Sequence, residues 1–262
     1  MGSSRRNTLY ATVSKGYKAG GFNTQMFSDV LQQQVMKQMG FGSLYDVADV
    51  VTYKPEKSWN YEVGAHLSTP SHKVQADLAL FYIDCRDQQL TVFPEGQVTG
   101  RLMTNAGRTR SFGGEASLLA TLWRNLDLQV AYGYTRATFV KFDTGKADYA
   151  GNFIPYAPQH TLYAGASYTL RTGWNCLEYV IFRVAANGAG RIYWNEANTF
   201  SQPFYALLEA SIRFEHRHWA VDVWGRNLTD TRYDTFYFMS IGNSFLQRGR
   251  PRTFGVSLSI TL

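Results

Sequence analysis

The sequence predicts an all-β chain, an antiparallel meander of about ten strands, and three observations carry that prediction. Stretches in which apolar and polar residues alternate recur from one end to the other, the period of two that a strand imposes by sending successive side chains to opposite faces. The connections between these stretches run short, long, short, long. Composition points the same way: Tyr 17, Phe 17 and Trp 6 bring aromatics to 15%, and Gly 23 against Pro 7 suits strands and turns better than helices.

In chain order, Leu9, Ala11 and Val13 alternate with Tyr10, Thr12 and Ser14 in a first strand that ends at the glycines 16, 20 and 21. A long connection follows to about Lys57, and its middle, Phe27 to Met39, suits a short helix. Trp59, Tyr61, Val63, Ala65 and Leu67 then share one face, opposite Ser58, Asn60, Glu62, Gly64, His66 and Ser68, before a tight turn at Thr69 to His72. Val74, Ala76, Leu78, Leu80 and Tyr82 carry the next strand to a loop with Pro94, Gly96 and Gly100. The return strand passes from Asn105 through Gly114, Ala116, Leu118, Ala120 and Leu122 to a short turn at Trp123-Arg124-Asn125. Leu126, Leu128, Val130, Tyr132 and Tyr134 lead to a polar loop, Asp143 to Pro158, and Leu162 to Leu170 come back to a turn at Arg171 to Asn175. Val180 to Ala186 go out to a loop rich in Asn, Gly and aromatics, Asn187 to Pro203, and Ala206 to Phe214 return to Glu215 to His218. Trp219, Val221 and Val223 go out once more to Asn227 through Arg250. The final stretch alternates without a fault: Phe254, Val256, Leu258, Ile260 and Leu262 oppose Thr253, Gly255, Ser257, Ser259 and Thr261.

A strand of about ten residues, apolar on one face and small and polar on the other, has the length and pattern to cross a bilayer at a tilt in a barrel wall. No apolar run reaches the length of a spanning helix, which leaves a barrel open, since half of each barrel strand faces water. A sandwich mixes connection lengths at both ends, whereas outer-membrane barrels put short turns on the periplasmic side and long loops outside. Aromatics near strand ends (Tyr17, Trp59, Trp123, Tyr168, Phe214 and Trp219) fit two interfacial girdles. The net charge of +6 is scattered, with no cluster of the kind that binds nucleic acid. Residues 1–6 open on Met-Gly-Ser-Ser-Arg-Arg with no apolar h-region, so no signal peptide is expected in this chain. Cys85 and Cys176 sit in different strands and form neither a metal motif nor a disulfide framework.

Chemistry-bearing constellations are few. His66, His72, His160, His216 and His218 have no metal-ligand spacing, and His216-Arg217-His218 reads as a solvated turn. No nucleophile elbow, HExxH or CxxC occurs, and Gly16 to Gly21 has no helix after it to make a phosphate loop. No catalytic residue, cofactor or metal centre is expected; the chain is read as not an enzyme. Glu62, Glu115 and Glu209 stand on polar faces near short turns, where in a barrel a carboxylate can pair with Arg or with a plug. Arg101, Arg108, Arg110, Arg191, Arg248, Arg250 and Arg252 gather toward the long-loop side, where they can attract an anionic substrate or contact lipopolysaccharide phosphates.

Five segments carry a resemblance: YATVSKGYKAGGFN at Tyr10 to Asn23, YKPEKSWNYEVG at Tyr53 to Gly64, NAGRTRSFGGEASL at Asn105 to Leu118, NLTDTRY at Asn227 to Tyr233, and the terminal GRPRTFGVSLSITL. Together, in this order, they resemble the C-terminal barrel half of a TonB-dependent outer-membrane receptor. The resemblance implies a barrel of about 22 strands closed by an N-terminal plug. It implies uptake of a scarce nutrient across the Gram-negative outer membrane, an iron–siderophore complex first, with cobalamin or glycans as the other substrate classes. It also implies outer-membrane lipid and lipopolysaccharide, the parent's own plug and the TonB complex as partners, and no nucleic acid. Residues 1–262 are then a partial barrel domain without plug, TonB box or N-terminal strands, a curved open sheet in isolation, and Leu262 stands where the family usually ends in an aromatic. The alternatives are a secreted carbohydrate-binding β-sandwich and a small outer-membrane barrel enzyme.

Overall fold

The structure, a computed structural model, describes residues 7–24, 31, 35, 37–40, 51–71, 73–92, 102–144, 147–240 and 243–261. The first strands are β1 (Thr8–Lys18), β2 (Gly21–Phe22), β3 (Thr52–Tyr53), β4 (Glu56–Ser68), β5 (Val74–Val92) and β6 (Leu102–Trp123). Next come β7 (Leu126–Lys141), β8 (His160–Trp174), β9 (Leu177–Gly190), β10 (Ile192–Tyr193) and β11 (Ser201–Gln202). The chain closes with β12 (Tyr205–His216), β13 (Trp219–Arg226), β14 (Asp234–Ser240), β15 (Asn243–Arg248) and β16 (Thr253–Ile260). Ten of these form one sheet in the order β1-β4-β5-β6-β7-β8-β9-β12-β13-β16, and the six short strands pair off as ribbons within the long loops.

Each strand pairs antiparallel with its neighbour in this order; for four of the nine pairs, two-residue turns at 124–125, 175–176 and 217–218, and a five-residue turn at 69–73, leave no room for anything but a hairpin. All four lie on one side of the sheet, and the long loops lie on the other. Cys176 falls in the 175–176 turn, not in a strand as the pattern suggested, because β8 runs on to Trp174. Both cysteines are free thiols. The stretch 27–39 lies largely outside the described residues; its described end makes a helical turn, Met39 N–H donating to Val35 O at 3.0 Å. The Pro94 to Gly100 loop, His72 and Leu262 also lie outside them.

The two faces differ as the alternation requires. Along β4, outward Trp59, Tyr61 and Val63 are exposed while Ser58, Asn60 and Glu62 between them are half-buried. On β16, Val256, Leu258 and Ile260 are 68%, 65% and 67% exposed, so no second sheet covers them and the sandwich alternative fails. The polar face is the concave one: its two hollows, of about 430 and 460 Å³, are lined by residues such as Gln129, Arg183, Glu209 and Asp222 in one, and Tyr10, Asp77, Glu115 and Ser117 in the other. Gly113 lies on this inner face, where a Cβ would meet the Tyr134 carbonyl oxygen and the Phe81 ring. The outermost strands, β1 and β16, each have one neighbour among the described residues.

At 19 and 22 residues, β5 and β6 are far longer than their apolar runs indicate and about twice what a bilayer crossing needs. Beyond Tyr82 the outward positions become Asp84 and Arg86, so these strand ends stand in water and need other support. The quoted motifs supply it. Asn23 Nδ2 donates to Met103 O and Asn23 Oδ1 accepts from Met103 N–H, both at 2.8 Å. Asn105 grips Lys54 through both N–H and C=O, and Glu56 accepts the Gln89 N–H at 2.8 Å. Leu90, Ala106, Ala137, Phe139, Phe142 and Ile154 form a small apolar core there.

Leu258→Arg places a charge on the outward face, a cost of about 2 to 4 kcal/mol if it meets lipid near the midplane. Ser257→Arg faces inward, opposite Asp222, whose Oδ1 is buried without a hydrogen-bond partner among the described residues. Heat-modifiable gel mobility of the two variants in a full-length receptor is expected to show failed assembly for the first and normal assembly for the second. Equal behaviour contradicts the assigned facing.

Candidate functional site

Three of the long loops lock together above the sheet. Segment 142–159 folds back along the upper half of β7, which extends beyond β8: Phe139 N–H donates to Asn152 O at 2.9 Å and Ile154 N–H to Ala137 O at 3.0 Å. Segment 191–204 is joined to it by Asn198, which accepts the Phe153 N–H at 2.7 Å and donates to the Phe153 carbonyl at 2.9 Å. Asn198 does so at φ 56°, a left-handed conformation that Asn tolerates better than most residues. The β14–β15 hairpin joins through Tyr156 Oη, which donates to Tyr237 O at 3.0 Å, and through Gln202 Oε1, which accepts the Asp234 N–H at 2.9 Å.

Rings fill the space between the three loops. Tyr156 stacks on Phe236 and tilts against Trp194, Phe200 stacks on Tyr237 with centroids 4.7 Å apart, and Phe153 stacks on Tyr193 with the Arg136 guanidinium 5.7 Å from its ring. Burial, then the nearby Glu196, pushes the Tyr156 phenol up to about 12, so it is a neutral donor at physiological pH. Burial also raises the Glu196 carboxyl, partly offset by its own backbone N–H. These residues leave little sign in the sequence beyond a loop rich in Asn, Gly and aromatics, because loop contacts have no periodicity to read.

The NLTDTRY segment is a clasp at the base of the last loop. Asn227, 4% exposed, donates through Nδ2 to Thr231 O and Arg250 O, and its Oδ1 accepts the Thr231 N–H at 2.9 Å. Asp230 accepts the Arg252 N–H at 3.0 Å. Gly249 lies under the Tyr233 ring, where any Cβ would collide.

On the concave wall, Glu62 accepts from Tyr10 Oη at 2.8 Å and Glu209 from Asn187 Nδ2 at 3.2 Å, while Glu115 borders the hollow that holds Tyr10 and Asp77. All three carboxylates stand in mid-strand, not beside the short turns, and none is ion-paired with an arginine among the described residues. His66 Nδ1 lies 2.7 Å from Asp77 Oδ1, and His160 Nδ1 lies 2.7 Å from Tyr132 Oη. His216 ends β12 and His218 lies in the β12–β13 turn, with Arg217 Nε donating to His218 Nε2 at 2.8 Å. No group of three potential metal ligands occurs among the described residues.

The arginines do not form one cluster. Arg108 and Arg110 are on β6, whereas Arg252 precedes β16, six strand spacings away in the sheet, on the order of 29 Å along it. Arg248 and Arg250 flank Gly249 at the base of the last loop, Arg191 follows β9, and Arg101 lies outside the described residues.

A family model described as TonB dependent receptor-like, beta-barrel, matches residues 5–228. The chain belongs to the TonB-dependent receptor family. The pesticin receptor of Yersinia pestis is 27% identical over 258 residues, covering 96% of this chain and 33% of that protein. The crystal structure of the ferric yersiniabactin uptake receptor FyuA from Yersinia pestis superposes with a TM-score of 0.75 at 22% identity, over 98% of this chain and 35% of that one. BauA, the ferric preacinetobactin receptor from Acinetobacter baumannii, gives 0.66 at 17% identity, over 98% and 34%. The chain thus spans about a third of the length of the relatives it matches. This is a family of receptors and transporters of the Gram-negative outer membrane, not of enzymes, and the ten-stranded open sheet matches the barrel walls of its solved members.

Glu196 links the loop cluster to pH. Its raised carboxyl favours the clustered loops most below the ordinary carboxylate range, and that contribution is lost as pH rises through the raised value. Hydrogen exchange over 194–200, corrected for intrinsic rates, is therefore expected to show protection falling with pH in the native receptor. In Glu196→Gln protection stays flat and higher at neutral pH; the same pH profile in both proteins contradicts the assignment.

Proposed function

We propose that residues 1–262 are part of the barrel wall of a receptor that takes up an iron–siderophore complex, energised by TonB. The observation that carries the reading is the open sheet itself. Its outward face is apolar, its concave face is polar, and β1 and β16 each offer an unpaired edge among the described residues. An unpaired edge in lipid leaves backbone N–H and C=O groups without partners, each costing several kcal/mol. Further strands of the parent protein, about a dozen to reach 22, join these two edges and close the wall. The plug of the parent then fills the concave side, against Glu62, Glu115 and Glu209.

The iron–siderophore substrate rests on likeness to receptors named for ferric yersiniabactin and ferric preacinetobactin. The clustered loops with Tyr156, Trp194 and Phe200 stand at the outer mouth, where aromatic surface suits a ferric complex with aromatic groups. The test compares residues 1–262 alone with the full-length receptor, refolded in detergent, reconstituted, and returned to cells lacking the native receptor. Uptake of radioactive iron as siderophore complexes is expected only from the full-length protein, and only with TonB present. A heat-resistant monomer of 1–262 that takes up the complexes by itself overturns the reading.

A further inference from the structure

The concave wall is divided by charge. From β4 to β7 its inward positions hold Glu62, Asp77, Glu115 and Asp127, and no lysine or arginine stands on that face among 58–66, 75–85, 109–121 or 127–139. The next four strands of the sheet each bring one arginine to the same face: Arg171 on β8, Arg183 on β9, Arg213 on β12 and Arg226 on β13. Arg183 and Arg226 line the hollow of about 430 Å³, and Arg171 lines a third hollow, of about 580 Å³, at the turn end.

The register sets these four arginines in four successive inward rows. Arg226 follows Gly225, which faces Ala210, and so stands level with Glu209; Arg183 faces Ser211 one row nearer the turns. Arg213, opposite Asp222, is a row below that, and Arg171, level with Tyr179 and Glu215, is a row below again. Rows lie two residues apart and strands about 4.8 Å apart, so each arginine is on the order of 10 Å from the next, and the descent covers on the order of 20 Å. Of the four, Arg213 is in an ion pair among the described residues, its Nε donating to Glu215 at 2.8 Å. Arg226 holds its guanidinium 4.8 Å from the centre of the Trp224 ring, and Arg171 and Arg183 are exposed.

We propose that this arginine staircase is the route by which an anionic ferric complex descends the lumen, between the plug and the wall from β8 to β13. The proposal rests on the reading of the chain as a receptor wall, and adds to it the charge of the substrate and the side of the lumen that it follows. A route for anions needs several sites of moderate strength, each near enough to the next for the ligand to pass on, since one tight site would hold it. Exposed guanidinium groups meet that need: they grip carboxylate oxygens through paired hydrogen bonds and keep their charge at any physiological pH. The acidic face from β4 to β7 repels the same ligand, which confines it to the arginine side. Arg226, stacked on Trp224, is the station nearest the long loops.

The test measures uptake into cells by the full-length receptor, at saturating ligand, of radioactive ferric complexes of citrate, a catecholate siderophore, a phenolate siderophore and a neutral hydroxamate. Electrophoretic mobility sorts each complex as anionic or neutral, and surface binding is measured separately in cells without TonB. The double variant Arg183→Gln, Arg226→Gln is compared with Lys57→Gln, Arg86→Gln, which removes two charges from the outward face. Uptake of anionic complexes is expected to fall about tenfold in the first with surface binding kept, and to stay unchanged in the second. Unchanged uptake in the first, an equal fall in both, or a native receptor that carries neutral complexes alone overturns the proposal. A fall that extends to neutral complexes, or that comes with entry of a large antibiotic the native receptor excludes, overturns it as well, since the arginines then fix the plug. A native receptor that takes up none of the complexes with TonB present overturns the receptor reading itself. Should heat-modifiable mobility show that the first variant fails to assemble, native uptake is followed as salt is raised. A loss confined to the anionic complexes supports the route, and unchanged uptake, or the same loss for both classes, contradicts it.

Discussion

A strand in hydrocarbon must pair every backbone N–H and C=O with another strand, and that requirement organises the rest of this chain. It explains the unbroken antiparallel order of the ten long strands from β1 to β16, and the tightness of the four turns that return strands on one side of the sheet. It also explains why apolar residues such as Leu258 and Val256, exposed here on a face with no second layer, are not a defect of packing. In a soluble protein such a surface would call for a partner; in a wall facing lipid it is the stabilised state.

Outside the hydrocarbon the same backbone groups meet water, and the stabilising devices change. The strands no longer need each other alone, so side chains take over: Asn23, Asn105 and Gln89 tie the first long loop to the tops of β5 and β6, and Asn198 and Tyr156 tie three later loops into one body. The recurrence of Asn follows from its paired donor and acceptor, which can satisfy a backbone carbonyl and a backbone N–H of one distant segment together. A loop mouth built this way resists piecemeal motion, because Asn198 or Tyr156 cannot leave without stranding a buried polar group on another loop.

How much of this was legible in the sequence depended on periodicity. The inward or outward facing of Val63, Glu62, Leu258 and Ser257 was fixed by a period of two with a buried-versus-lipid contrast, and the register keeps it. The upper halves of β5 and β6 were not legible, because once Asp84 and Arg86 replace apolar residues both faces are polar and alternation vanishes while pairing continues. Asn227 and Asn105 were visible as motif members but not as clasps, since their partners Arg250 and Lys54 lie 23 and 51 residues away. The arginines read as one group parted into an outward-facing set on β6 and a loop set near β16 for the same reason: proximity along the sheet is set by strand order, not by a shared side of the molecule.

The most direct measurement is a cysteine scan of 254–260 in the full-length receptor in its native membrane, with Cys85 and Cys176 replaced by serine. Each position is tested for reaction with a water-soluble maleimide and for quenching of an attached fluorophore by a lipid-phase quencher. Positions 254, 256, 258 and 260 are predicted to resist the maleimide and to be quenched from the lipid, while 255, 257 and 259 do the reverse. A uniform response, or the opposite alternation, would contradict the assignment of this chain to a lipid-facing barrel wall.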